Sequence, residues 1–246
     1  MDEAVTRWLE AIAEDELNNE DVERSLRYAK DLEQGLAKIR TFSQGVAIFG
    51  SARLAKNGKW CKLARELGYK LAQNGHPVIT GGGPSIMEAA NRGAYEAGGR
   101  SIGLNIELPH EQQINAYVTD HMEFHYFFAR KVMLTMSSKV YVFFPGGYGT
   151  LDEYSEIQLL MQEGKMPKMP IFLIGKSFWK PLDRWFETKM QKSLKTINAV
   201  DRKLYKITDN IDEVVKAANK IGHRSIYDNL YNIHPSSNSR IYKKII

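Results

Sequence analysis

The chain has one cysteine, Cys61. No disulfide can form within it, and no cysteine-based metal cluster is possible. Cys61 falls in an expected helix beside Trp60 and Leu63, which reads as a buried, inert thiol. No run approaches the roughly 18 apolar residues of a membrane span, so no membrane partner is expected. The start, Met1-Asp2-Glu3, is acidic and lacks an apolar signal core, and the cytoplasm is the default expectation. Basic residues do not cluster beyond Lys243-Lys244. With a net charge of only +5, no nucleic acid is expected as a partner, although the sign suits an anionic ligand. His76, His110, His121, His125, His223 and His234 show no metal-ligand spacing, and no metal is expected. No internal repeat is visible.

The remainder is ordinary for a globular chain: 246 residues, 43% hydrophobic and 26% charged. This is enough for one large domain or at most two small ones with a full core. Residues 3–40 read as helical and highly charged. One apolar stripe is Trp8, Leu9, Ile12 and Leu17, and another is Leu26, Leu32, Leu36 and Ile39, with a capped break near Asn18-Asn19. Beyond this extension, short apolar runs alternate with helical stretches. Strands are expected at 46–49, 77–80, 101–104, 122–124, 140–144, 169–174 and 206–208. Helices are expected at 58–73, 85–97, 127–136, 150–162, 178–190 and 211–221. Apolar strands that alternate with helices point to an α/β fold with a mainly parallel sheet covered on both faces. Ligands of such folds bind at the carboxyl ends of the strands.

The sharpest feature stands at one of those ends. The strand 140–144 runs into Pro145-Gly146-Gly147-Tyr148-Gly149-Thr150, and a helix follows at once. Glycines let the backbone approach a ligand and turn its N–H groups toward it. The helix N-terminus adds unpaired donors and partial positive charge, and Thr150 adds a hydroxyl. This is a phosphate cradle, although no Lys-Ser/Thr pair makes it a Walker loop. Glu153 shares a helix face with Thr150. A carboxylate so near a phosphate suits work on the sugar; the alternative is dipole compensation in the first turn, which Asp152 fits better.

Three further segments join it. Thr80-Gly81-Gly82-Gly83-Pro84-Ser85 ends a second strand, with Glu88 and Asn91 on one face of the next helix. Glu88 either serves the ligand or pairs with Arg92 four residues on. Phe49-Gly50-Ser51 ends the first strand. His125-Tyr126-Phe127-Phe128-Ala129-Arg130-Lys131 offers aromatics for a planar base and two cations for an anion; its other reading is core aromatics with snorkelling cations. Glu156 and Asp183 read as solvated surface.

Pro145 to Glu153 matches the PGGxGTxxE motif, and the chain thereby resembles the Lonely Guy (LOG) family of cytokinin riboside 5′-monophosphate phosphoribohydrolases. Members have often been labelled "possible lysine decarboxylase". The blocks at 81–83 and 124–131 resemble the same family, and the likeness covers roughly residues 45–190. It implies a Rossmann-like three-layer sandwich, expected over residues 43–222; the helical extension over 1–42 and the tail over 223–246, read from the residues themselves, lie outside the likeness. It implies hydrolysis of the N-glycosidic bond of a nucleoside 5′-monophosphate, AMP or an N6-modified AMP, to free base and ribose 5-phosphate without a cofactor. A broader purine and pyrimidine nucleosidase, or a nucleotide carrier of the same fold, are the rivals. The catalytic pair carries over to Arg130 and Glu153. Substrate contacts fall on Gly146, Gly147, Tyr148, Gly149 and Thr150, on Gly82 and Gly83, and less firmly on Glu88. Gly50, Ser51 and Lys131 complete the expected site. A homodimer or larger homo-oligomer is implied. The decarboxylase label finds no lysine in a recognisable pyridoxal-phosphate setting. Ser85 departs from the family, which often has glycine there.

Overall fold

The computed structural model describes residues 19–39, 41, 45–107 and 114–221. Helix α1 (Asn19–Ile39) precedes strand β1 (Gly45–Phe49). The chain continues through α2 (Lys59–Gln73), β2 (Val78–Thr80), α3 (Ile86–Glu96), β3 (Ser101–Ile106) and β4 (Asp120–Phe124). Next come α4 (Phe127–Met136), β5 (Ser138–Phe143), α5 (Tyr148–Gln162), β6 (Ile171–Ile174) and α6 (Lys176–Trp185). A π-helical stretch, Phe186–Ser193, and a 3-10 turn, Asp201–Lys203, lead to β7 (Tyr205–Thr208) and α7 (Asp212–Lys220). The apolar stripe at Trp8–Leu17 and the tail from 223 onward lie outside the described residues.

The seven strands form one sheet in the order β4-β3-β2-β1-β5-β6-β7. Every pairing is parallel. The Rossmann-like α/β sandwich is therefore present. Strands β1, β2, β3, β5 and β6 are buried along their whole length, while the edge strands β4 and β7 are half exposed. This explains why the central runs read apolar without alternation: both sheet faces are covered. Along β1, Ala47 and Phe49 join the core under α1, α4, α5 and α6, while Val46 and Ile48 join the core under α2, α3 and α7. Helices α2 and α3 touch through glycine. A Cβ at Gly93 would lie 1.9 Å from the Arg65 carbonyl oxygen, and one at Gly68 2.2 Å from that of Ala90.

Four details differ from the sequence expectation. Leu26 is 51% exposed, whereas Leu32, Leu36 and Ile39 pack on the core; at 3.6 residues per turn Leu26 lies about 120° from Leu32. Helix α5 begins at Tyr148, two residues before the expected start, because glycine's weak helix preference hides its first turn. Strand β6 begins at Ile171 rather than Met169; Pro170 has no N–H for the ladder, though its carbonyl accepts from the Tyr141 N–H at 3.0 Å. Asp183 is not solvated surface. It accepts from Arg202 at 3.0 Å and from the Tyr205 hydroxyl at 2.6 Å, tying α6 to β7.

Candidate active site

Strand order reverses between β1 and β5, since β1 continues toward β2 on one side while β5 starts the other half. Such a switch point opens a crevice at the carboxyl ends of the two strands. Three glycine-bearing turns meet there. The turn after β1 is tied to the turn after β5, the Ser51 N–H donating to the Pro145 carbonyl at 3.1 Å. The Ile86 N–H of α3 donates to the Ser51 carbonyl at 3.3 Å.

The Pro145–Thr150 turn is built for close approach. Gly147 is the N-cap of α5, with no side chain capping it, so the first N–H groups of that helix face the crevice unpaired. Gly146 is fixed by its neighbour: a Cβ there would fall 2.1 Å from the Thr150 hydroxyl oxygen. Gly147 and Gly149 are different. A Cβ at either would meet nothing within 4 Å among the described residues, so their packing does not demand glycine at these positions. The space they leave open suits an anion resting on the helix N-terminus. Thr150 is buried, whereas the Tyr148 side chain is 92% exposed and only its backbone belongs to the turn.

After β2, Gly82 takes a positive φ of 73°, which only glycine adopts without strain. Its N–H donates to the Thr80 hydroxyl at 2.9 Å, and Asn115 donates to the Gly82 and Gly83 carbonyls at 3.0 and 3.2 Å. Asn91, fully buried, holds this bracket from behind through Thr80 and Asn115. Glu88 does not pair with Arg92. It meets Lys56 at 2.9 Å, while Arg92 pairs with Glu96 at 2.8 Å. Gly50 has a packing reason to be glycine, because a Cβ there would lie 2.6 Å from Ile86 Cγ2. Ser85 adopts φ 63° and caps nothing; its hydroxyl donates to the Leu54 carbonyl at 2.9 Å. That bond secures the β1–α2 loop against the β2–α3 turn.

Helix α4 delivers the cations. Arg130 donates through Nη2 to Glu153 Oε1 at 3.3 Å, and both side chains are largely buried, at 13% and 15% exposure. The Arg130 Nε has no partner among the described residues, and its guanidinium lies 5.5 Å from the Phe127 ring centre. An ideal Cβ at Gly81 would stand 3.5 Å from Arg130 Nη1, so the pair adjoins the β2 turn as well as α5. Burial pushes the Glu153 carboxyl up to about 7 despite the opposing charge of Arg130. Burial also lowers the Arg130 guanidinium, partly offset by Glu153, but an arginine stays charged. Lys131 bridges Asp152 at 3.1 Å and Glu156 at 3.0 Å. Together the two cations clamp α4 to α5.

Some residues of this region carry no sequence signal. Leu54, Lys59, Trp60, Ser177 and Phe178 line a crevice of about 490 Å³ with Ser51, Pro145, Gly146 and Gly147. Trp60 and Phe178 stand at helix starts, where periodicity reads them only as core aromatics. Their position just past the carboxyl ends of β1 and β6 is the signal that a topology, once known, supplies.

A family model described as "Possible lysine decarboxylase" matches residues 87–218, more than half of the chain. The chain belongs to this, the LOG, family. An uncharacterised protein of Archaeoglobus fulgidus is 32% identical over 118 residues, covering 46% of this chain and 74% of that protein. A cytokinin riboside 5′-monophosphate phosphoribohydrolase of Mycobacterium tuberculosis is 26% identical over 179 residues, covering 70% of this chain and 91% of that one. Among solved structures, the molybdenum cofactor carrier protein of Chlamydomonas reinhardtii is similar, with a TM-score of 0.54, 25% identity, and coverage of 72% of this chain and 97% of that chain. Low-identity relatives thus support a LOG-type activity. The LOG match spans Arg130 and the Pro145–Glu153 motif and leaves out α1 and β1.

Proposed function

We propose that this LOG protein hydrolyses the N-glycosidic bond of a nucleoside 5′-monophosphate, AMP or an N6-modified AMP, to free base and ribose 5-phosphate. The observation that carries the reading is the buried Arg130–Glu153 pair at 3.3 Å beside an uncapped, glycine-lined helix N-terminus. In this reading the phosphate rests on the N–H groups of Gly147, Tyr148 and Gly149 and on the Thr150 hydroxyl. Gly82 and Gly83 border the nucleotide, with Gly50, Ser51 and Glu88 around it. Binding energy from the phosphate orients the sugar. The C1′–N bond breaks and its electron pair leaves with the base, which takes up a proton. The Glu153 carboxylate stabilises the oxocarbenium-like state and accepts a proton from the water that adds to C1′. Arg130 holds Glu153 and the sugar phosphate in place.

A base poised near neutrality suits general-base work. The ionised carboxylate is the working form, so kcat/KM is expected to rise with pH through about 7 and to fall about tenfold per unit below it. A rate profile followed by chromatography of released adenine checks this; an acid limb near the ordinary carboxylate range would remove Glu153 from the base role. Substrate choice is tested with AMP, isopentenyl-AMP, CMP and GMP. The carrier reading, favoured by the Chlamydomonas likeness, expects binding and no base from any of them. A homodimer belongs to the proposal, since Phe127, Phe128 and Leu159 of α4 and α5 are 55%, 41% and 54% exposed. Among the described residues no helix is long and apolar enough to cross a membrane.

A further inference from the structure

We propose that Asp31, on the N-terminal helix α1, is a positioning residue for Arg130; the catalytic part of this inference rests on the function proposed above. Helix α4 has no capping side chain of its own and no acidic residue in its first turn. The N–H group of its N-cap residue, and that of the residue before it, are served from another element. Asp31 is 5% exposed, and its Oδ2 accepts the N–H of His125 at 2.9 Å and of Tyr126 at 3.1 Å. Its Oδ1 lies 3.2 Å from His125 Nδ1. Tyr126 is the N-cap of α4, and its carbonyl accepts the Arg130 N–H at 3.2 Å. One residue, Tyr126, therefore links the Asp31 carboxylate to the backbone of the arginine.

The contact is anchored on both sides. Tyr28 of α1 sits edge-on to Tyr126 at 4.4 Å and to Phe128 at 5.2 Å. A Cβ at Gly35 would fall 2.7 Å from Met133 Cγ, so α1 lies directly on α4. A carboxylate at a helix N-terminus also meets the favourable end of its dipole. Arg130 depends on this seat, because among the described residues its Nε is without a partner and Glu153 is its hydrogen-bonding carboxylate. A shift of about 1 Å in a catalytic group can lower turnover by as much as about a hundredfold. The N-terminal helix, outside the part of the chain that the family model matches, thereby sets the geometry of the pair inside it.

The test compares the full chain with Asp31→Ala and Asp31→Asn. In Asp31→Ala, amide hydrogen exchange at His125, Tyr126 and Arg130 is expected to quicken. Base release is expected to slow about tenfold in kcat, with a smaller rise in KM, because Arg130 shifts while the N–H groups of the phosphate turn on α5 stay in place. The acid limb of the rate profile is expected to move upward. The charges that bear on Glu153 are Arg130 and Lys131 from α4, and Asp152 and Glu156 from α5; retreat of the two cations leaves burial and the two carboxylates to raise it. Asp31→Asn keeps one acceptor oxygen and is expected to fall between wild type and Asp31→Ala, and it carries the same comparison should Asp31→Ala fail to fold. Unchanged exchange at those amides, or a slower rate with the acid limb in place, would overturn the inference and leave Asp31 a stabilising cap. If the wild-type chain releases no base, the proposed function falls, and the exchange comparison alone decides whether Asp31 holds the start of α4.

Discussion

Glu153→Gln is expected to lower kcat for base release by about 10²–10⁴-fold while nucleotide binding persists. The amide keeps the size and shape of the side chain, so the buried contact with Arg130 at 3.3 Å keeps an oxygen acceptor. What it loses is charge and basicity. A neutral amide cannot take the proton of attacking water, and it offers far less stabilisation to a positively charged sugar. The measurement is the initial rate of base release beside calorimetric affinity for the same nucleotide. A variant that binds and barely turns over supports the assigned role. Near-full activity would show that the carboxylate serves only the helix or the arginine.

Gly146→Ala is expected to lower kcat/KM by about a hundredfold, and the loss should follow the phosphate. The added Cβ would lie 2.1 Å from the Thr150 hydroxyl and 2.6 Å from its Cβ. Thr150 is 5% exposed and belongs to the first turn of α5, so it has little room to rotate away. The turn or the helix start must move, and the N–H groups proposed to hold the phosphate move with it. Gly147→Ala is the informative partner. Its Cβ meets nothing within 4 Å among the described residues, and its φ of −94° is open to any residue. Thermal stability should hold while nucleotide affinity falls, because the added methyl occupies space that the ligand requires. Affinity unchanged in Gly147→Ala would place the anion elsewhere.

The fold was readable in the sequence because burial on both faces leaves uninterrupted apolar runs at β1, β2 and β5, and glycine turns punctuate their ends. The glycine turn after β5 was readable because three glycines stand between an apolar strand and a helix start; that Gly147 and Gly149 meet no packing demand among the described residues is seen only in the structure. Side-chain partners were harder to read. Helical spacing joined Glu88 to Arg92, but spacing cannot see Lys56, which reaches Glu88 from a loop 32 residues earlier in the chain. Lys131 read as a cation for an anion or as a snorkelling side chain, and spacing could not show that Asp152 and Glu156 stand within 3.1 Å of it. Asp31 gave no signal at all, since its partners are backbone N–H groups 94 and 95 positions away. Trp60 and Phe178 were likewise hidden, because only strand order brings their two helix starts to one crevice.

The most direct test of the central claim is a multiple-turnover time course with AMP in large molar excess over the chain, in which free adenine and ribose 5-phosphate are quantified together. The two products are expected to appear in equal amounts, far beyond the amount of protein, and to vanish in Glu153→Gln. Tight binding of AMP with no adenine, or adenine formed equally well by Glu153→Gln, would contradict it.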